Sequence, residues 1–242
     1  DLQRKPCAAA AVYTQNLVKG APILVTQKNI ADGAAKAVIC NSGNANTCNA
    51  DGEEKAQAMC DLTAQALGIA PQDVVVASTG VIGQVLPIEP IAAGIPELVK
   101  SLSAEGSSAA ATAIMTTDTV RKESAYELEL SSGTIRIGAM AKGSGMIHPN
   151  MGTMLCFLTT DCAITQEMLQ DALHDIVPRT FNRVTVDGDT STNDMVAVMA
   201  NGLAGNAEIT AEGEDFESFM KALNTVTVHL CRCTVSYTHL RA

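Results

Sequence analysis

The stretch Ala141–Leu158, AKGSGMIHPNMGTMLCFL, decides how this chain is organised. Its first half is polar and rich in glycine, which lacks a Cβ atom and therefore lets a loop approach a ligand closely. Pro149 fixes a bend, and the apolar residues 154–158 are typical of a short buried strand. The stretch therefore predicts a ligand-facing loop that enters a core strand at Thr153.

Thr153 has two interpretations from the residues alone. Threonine is common at strand starts because its branched side chain suits a strand. Behind a flexible glycine, its hydroxyl can instead attack the preceding carbonyl, so that cleavage between Gly152 and Thr153 leaves a new N-terminus whose α-amine is a general base. A phosphate-binding loop is a third use for the glycines, but Gly143 and Gly145 lack the spacing of either nucleotide fingerprint.

Composition narrows the class of protein. The chain has 242 residues with 47% hydrophobic and 17% charged residues, which is typical of a soluble globular protein with one large or two modest domains. Its net charge of −10 argues against nucleic-acid binding, which needs clustered Lys and Arg. No apolar run approaches the roughly 18 residues that span a bilayer, so no membrane role is predicted, and residues 1–5 show no signal peptide.

The spacing and surroundings of the cysteines bear on metal binding and on the cellular compartment of the protein. There are eight, none in a paired CxxC spacing, so neither a zinc site nor another metal site is predicted. Several lie in apolar runs and are typical of buried free thiols in a reducing cytosol, which predicts a cytoplasmic protein.

Hydrophobic periodicity predicts an α/β protein. The predicted strands are residues 8–12, 21–25, 35–40, 74–77, 125–130, 134–140 and 154–158. The predicted helices are residues 51–67, 88–102, 108–115, 166–176 and 215–226, the second of them broken or kinked at Gly94 and Pro96.

Polar segments follow several of these elements. NSGNAN at residues 41–46 forms either a tight turn or a ligand-facing loop, and STGVIG at 78–83 either caps a turn or supplies the donors of an oxyanion hole. TTDT at 116–119 ends a helix. DGDTSTND at 187–194 has the acids of a calcium loop, but residues 195–199 are apolar where an EF-hand requires glutamate.

These segments resemble the signatures of the glutamate N-acetyltransferase/ornithine acetyltransferase family of arginine biosynthesis, the ArgJ family. The resemblance covers roughly residues 1–230 through NSGNAN, STGVIG, MTTDT, KGSGM with TML, and FNRVTVDGDTSTND, in the family's order. One departure is Gly152, where the family usually has alanine.

The resemblance implies a fold and a site. The implied fold is a layered α+β arrangement of the DmpA/ornithine acetyltransferase type, with helices packed on mixed sheets. By family motif, Thr153 is the nucleophile freed by cleavage after Gly152, Thr79 and Gly80 stabilise the oxyanion, and Thr116, Lys142 and Thr153 bind substrate. Lys142 suits a substrate α-carboxylate; a surface lysine is the alternative from the residue alone.

The resemblance also implies a reaction. An acetyl group passes from N2-acetylornithine to glutamate through an acetyl-threonine, without a cofactor, although some relatives also use acetyl-CoA as donor. Residues 1–152 become an α-chain and 153–230 the start of a β-chain, and the two remain associated in a heterotetramer. Residues 231–242 lose the pattern and are predicted to be a non-native tail on a truncated gene.

Two other functions stay open at this level. A hydrolase of the same superfold, an amidohydrolase or aminopeptidase, would use the same threonine and pass the acyl group to water. A truncated, inactive fragment is the second, because the family's later substrate-binding residues have no counterpart before residue 242.

Overall fold

The computed structural model describes residues 6–146, 154–185 and 187–235. Eight strands and six helices are assigned within these ranges. In chain order they are β1 Cys7–Tyr13, α1 Ala21–Asn29, β2 Ala34–Ala35, β3 Ala37–Asn44, α2 Gly52–Leu67, β4 Val74–Val81, α3 Ile88–Lys100, α4 Ser107–Ala113, β5 Lys122–Leu130, β6 Gly133–Lys142, β7 Leu155–Thr160, α5 Gln166–Arg179, β8 Met195–Ala200 and α6 Glu214–Val235.

A mixed six-stranded sheet forms the centre of the molecule. Its strand order is β2-β1-β8-β7-β6-β5, and β7 and β8 are its one parallel pair among the described strands. Parallel neighbours need a crossover, which α5 supplies. On one face the sheet packs against α5 and α6 through fully buried side chains such as Leu158, Leu173 and Phe219. None of the described helices is long and apolar enough to cross a bilayer.

The second sheet consists of β3 and β4, which pair in parallel and are joined through α2. One face of this pair packs on the large sheet, where small residues such as Ala9 and Ala11 meet Val75 and Ala77. The other face carries Val74 and Val76 and packs against α1 and α2. The described residues thus stack as helices, sheet, sheet, helices, which confirms the predicted layered α/β class with mixed sheets.

The predicted strand at residues 21–25 is wrong, because this segment begins helix α1. A short apolar run is compatible with either a strand or a helix, but Pro22 in the first turn favours the start of a helix. Tertiary contacts then fix the helix: the Thr26 hydroxyl donates to the Val76 carbonyl (2.7 Å) and accepts from the Val76 amide (2.9 Å).

Of the predicted break or kink at Gly94 and Pro96, the break is wrong, because α3 continues through both residues. Ile95 is its one buried residue, and the rest of the helix lies at the surface. Water can therefore bond the carbonyl that Pro96, which has no N–H, leaves unpaired.

Other local predictions are confirmed. The β5–β6 hairpin forms, Gly68 ends α2 in the left-handed region at φ 68°, and the Thr165 hydroxyl caps α5 by accepting from the Met168 amide (3.4 Å). Helix α6 is longer than predicted and continues to Val235, so residues 231–235 of the predicted non-native tail are helical.

Candidate active site

Two polar segments end the parallel pair side by side. The first four residues of NSGNAN are the last residues of β3, so they form neither of the two structures considered from the sequence, a tight turn or a loop. In the register of the pair, Ser42 lies opposite Thr79 and Gly43 opposite Gly80. Because both strands are parallel, their carboxyl ends bring NSGNAN and STGVIG to the same edge.

Gly80 is required by its backbone. Its φ of 131° is one that side chains disfavour, and a Cβ atom there would lie 2.3 Å from the carbonyl carbon and oxygen of Gly43. The close approach of the two strand ends therefore depends on the absence of a side chain at this position.

This geometry predicts the effect of Gly80→Ala on stability. We expect the free energy of unfolding to fall by about 2–6 kcal/mol, since backbone strain and overpacking each cost about 1–3 kcal/mol. Gly83→Ala is the matched control, because Gly83 also has a positive φ (79°) but has open space around its Cα. Urea denaturation of both variants checks the prediction, and equal losses would contradict the role of the Gly43 contact.

Lys142 is the last residue of β6, and its side chain reaches the carboxyl ends of β3 and β4. It is 3% exposed, and its ammonium donates to the hydroxyls of Thr79 (3.2 Å) and Thr116 (3.0 Å). Burial lowers the pKa of Lys142, and the nearby Asp118 carboxylate opposes that shift. Because a protonated ammonium can only donate, the Thr79 oxygen is an acceptor here and its own O–H is free to donate to another group.

A buried ion pair supports this lysine. Asp118 and Lys122 have side chains only 1% exposed and form a salt bridge, and Asp118 also accepts from the Gly143 amide (2.8 Å). Burial alone would raise the pKa of Asp118, but these hydrogen bonds and the nearby Lys142 hold it below its usual range. Sequence reasoning missed the pair; its one signal is an acid and a lysine four residues apart between two apolar segments.

One cavity of about 420 Å³ opens between these elements. Its lining contains four predicted site residues, Thr79, Gly80, Thr116 and Lys142. The other lining residues are Gly43, Ala45, Val81, Ile82, Thr117, Ser144, Gly145, Met146, Ser191, Thr192 and Asn193. The predicted nucleophile and cleavage site, Thr153 and Gly152, lie outside the described residues.

The DGDTSTND segment also lines the cavity, through Ser191, Thr192 and Asn193. The amide nitrogen of Asn193 donates to the carbonyls of Ala45 (2.6 Å) and Ser78 (2.8 Å), and its oxygen accepts from the Thr47 hydroxyl (2.6 Å). Asn193 thus joins the segments after β3 and before β8 to Ser78 within β4. No cluster of three metal-binding side chains is found in the described part of the chain.

The glycine-rich loop after β6 is held at both of its described ends. Asp118 receives the Gly143 amide, and the Asp187 carboxylate accepts from the Met146 amide (2.5 Å). Between them, the hydroxyls of Ser144 and Thr117 lie 2.5 Å apart. These contacts, which sequence reasoning did not anticipate, place the loop at the cavity.

A mixed sheet stacked on a parallel pair of strands, with a cavity at the strand ends that is lined by hydroxyls and a buried lysine, defines a layered α/β protein. The sequence model of the ArgJ family matches residues 2–237. The chain belongs to the ArgJ family.

Individual relatives agree with this assignment. The arginine biosynthesis bifunctional protein ArgJ of Symbiobacterium thermophilum is 54% identical over 230 residues, which are 95% of this chain and 57% of that protein. The crystal structure of ArgJ from Bacillus halodurans (TM-score 0.56, 42% identity) covers 62% of this chain and 78% of the other. Ornithine acetyltransferase from Mycobacterium tuberculosis, in complex with ornithine, covers the same shares (TM-score 0.53, 34% identity). The chain spans little more than half the length of the curated relative that it matches.

Proposed function

We propose that this protein transfers an acetyl group from N2-acetylornithine to glutamate in arginine biosynthesis. The observation that carries the proposal is the convergence of Thr79, Gly80, Thr116 and Lys142, predicted from separate motifs, on one cavity. Family membership and the ornithine bound to the M. tuberculosis relative support the substrate class.

Charge favours an amino-acid substrate. Lys122 and Lys142 bring two positive charges against the one negative charge of Asp118, so this buried cluster of three residues has an excess of one positive charge. A substrate α-carboxylate balances that excess, and the third donor of the Lys142 ammonium is available to it. The Thr116 hydroxyl, which accepts from Lys142, would make a second contact with this carboxylate.

In the first half-reaction, the Thr153 hydroxyl attacks the acetyl carbonyl while its α-amine takes the proton. The Thr79 O–H, left free by its acceptor role toward Lys142, and the backbone at Gly80 stabilise the oxyanion. The intermediate collapses to an acetyl ester on Thr153, and ornithine leaves after its amine receives a proton from the α-ammonium.

In the second half-reaction, the glutamate amine attacks this ester and leaves as N-acetylglutamate, which restores the Thr153 hydroxyl. Acetyl-CoA is an alternative acetyl donor, and the reaction needs neither a metal nor another cofactor. The proposal includes self-cleavage between Gly152 and Thr153, association of the two resulting chains in a heterotetramer, and a cytoplasmic location.

The proposal is tested by supplying N2-acetylornithine with and without glutamate to the purified protein. We expect ornithine and N-acetylglutamate to form in equal amounts, with a parallel-line pattern in initial-rate plots that is typical of a ping-pong reaction. Release of acetate at the same rate without glutamate would instead identify a hydrolase. No turnover of either kind would overturn the proposal for this chain.

A further inference from the structure

Asp194 is a buried acid directly before β8. Its side chain is fully buried, and one carboxyl oxygen, Oδ1, accepts from the Met154 amide (2.8 Å). Its own carbonyl receives the Thr14 amide (3.0 Å), so the backbone of Asp194 is fixed as well. The acid therefore holds the chain just before β7 begins.

The second carboxyl oxygen of Asp194, Oδ2, is buried, and no residue in the described part of the chain forms a hydrogen bond with it. Burial raises the pKa of Asp194 well above its usual range, and the Met154 amide with the nearby Ser191 hydroxyl offsets only part of this. Among the described residues no cation contributes to this pKa shift, and a buried acid in such surroundings is expected to be neutral, because isolated buried charge is costly. A neutral acid still accepts a hydrogen bond from an amide.

A second acid of the same DGDTSTND segment holds the other side of the Thr153 region. Asp187 accepts from the amide of Met146, and Asp194 from the amide of Met154. These are the described residues on either side of residues 147–153. One short segment therefore fixes both flanks of the sequence that contains the proposed cleavage site.

We propose that Asp194 is a positioning residue for the chemistry of Thr153, acting by holding the amide of Met154. The inference rests on the proposed function, because Met154 is joined by one peptide bond to the proposed nucleophile. It deepens that function, since nothing in the family motifs assigns Asp194 a role. Holding this amide limits the positions available to the Thr153 hydroxyl, and a misplacement of about 1 Å can cost roughly 10²-fold in rate.

Three variants distinguish a positioning role of the Asp194 side chain from an effect of its charge. Asp194→Ala removes the acceptor and is expected to lower kcat roughly 10²-fold with KM within a few-fold, and to slow self-cleavage similarly. Asp194→Asn keeps one neutral acceptor oxygen and is expected to stay within about 10-fold of wild type in both. Asp189→Asn is the control: it makes the same change at an exposed acid of the same segment and should have no effect.

Hydrogen exchange of the Met154 amide, followed by NMR, tests the contact without any activity. In the wild type this amide should be protected like that of Leu158 inside β7, and Asp194→Ala should raise its exchange at least about 10-fold while Leu158 stays protected. An unprotected Met154 amide in the wild type would overturn the proposal even if Asp194→Ala fails to fold.

The kinetic measurements can also overturn the positioning role of Asp194. A normal kcat for Asp194→Ala, or an Asp194→Asn variant as defective as Asp194→Ala, would overturn positioning through an acceptor. If the wild type neither cleaves nor transfers acetyl while its Met154 amide is protected and depends on Asp194, the proposed function fails and the contact stands.

Discussion

A Thr153→Ala variant is expected to remain a single uncut chain and to lose acetyl transfer. Alanine has no hydroxyl to attack the preceding carbonyl, so the α-amine that serves as general base is never released. Loss of a catalytic nucleophile can lower kcat by roughly 10⁴–10⁶-fold. Intact mass and N-terminal sequencing check the cleavage, and production of N-acetylglutamate checks the transfer.

Thr153→Ser is the matched control, because serine keeps a hydroxyl and can be released in the same way. We expect it to cleave, with a fragment that begins at residue 153, and to retain measurable turnover. Full activity in an uncut Thr153→Ala chain would refute the N-terminal nucleophile. A cut at another position would show that the KGSGM–TML motif has been assigned the wrong bond.

Elements with a strong local signal were predicted well. Helix α2 has an apolar stripe, acids in its first turn and Gly68 after its end, and all these features agree on one structure. The β5–β6 hairpin has two alternating strands around a turn. The structure of such segments is determined by their own residues, so it can be predicted from the sequence alone.

Prediction failed where tertiary contacts decide. Residues 21–25 are compatible with strand or helix, and the bonds between Thr26 and Val76, fifty residues away, accompany the helical outcome. The extension of β3 into its polar segment depends likewise on pairing with β4. No local pattern in the sequence carries these choices.

The residues of the candidate site were likewise indicated by the sequence only in part. Thr79, Gly80, Thr116 and Lys142 were identified because they lie in motifs that resemble a family. The residues that hold them in place were missed: the Asp118–Lys122 pair, and Asn193 with its partners more than a hundred residues away. Their roles come from contacts between distant segments, which residue type and spacing do not express.

Removal of the Thr79 hydroxyl is expected to have the second large effect on catalysis. Thr79→Ala is expected to lower kcat by roughly 10²–10³-fold with KM within a few-fold, since an oxyanion donor acts mainly in the transition state. The direction of its contact with Lys142 is the reason: the lysine donates, so the Thr79 O–H remains available to donate to the oxyanion. Self-cleavage should also slow, because that step passes through a similar oxyanion.

Two further substitutions at this position separate the hydroxyl from the space it fills. Thr79→Val has nearly the same shape without the hydroxyl and should lose as much kcat as Thr79→Ala, whereas Thr79→Ser should stay within about 10-fold of wild type. Thr79 is 1% exposed, so thermal melts must accompany the kinetics. A Thr79→Val variant with normal kcat would remove Thr79 from the oxyanion site and leave it the role of fixing the Lys142 ammonium. In that case KM would rise while kcat stayed constant, because substrate binding alone would have changed.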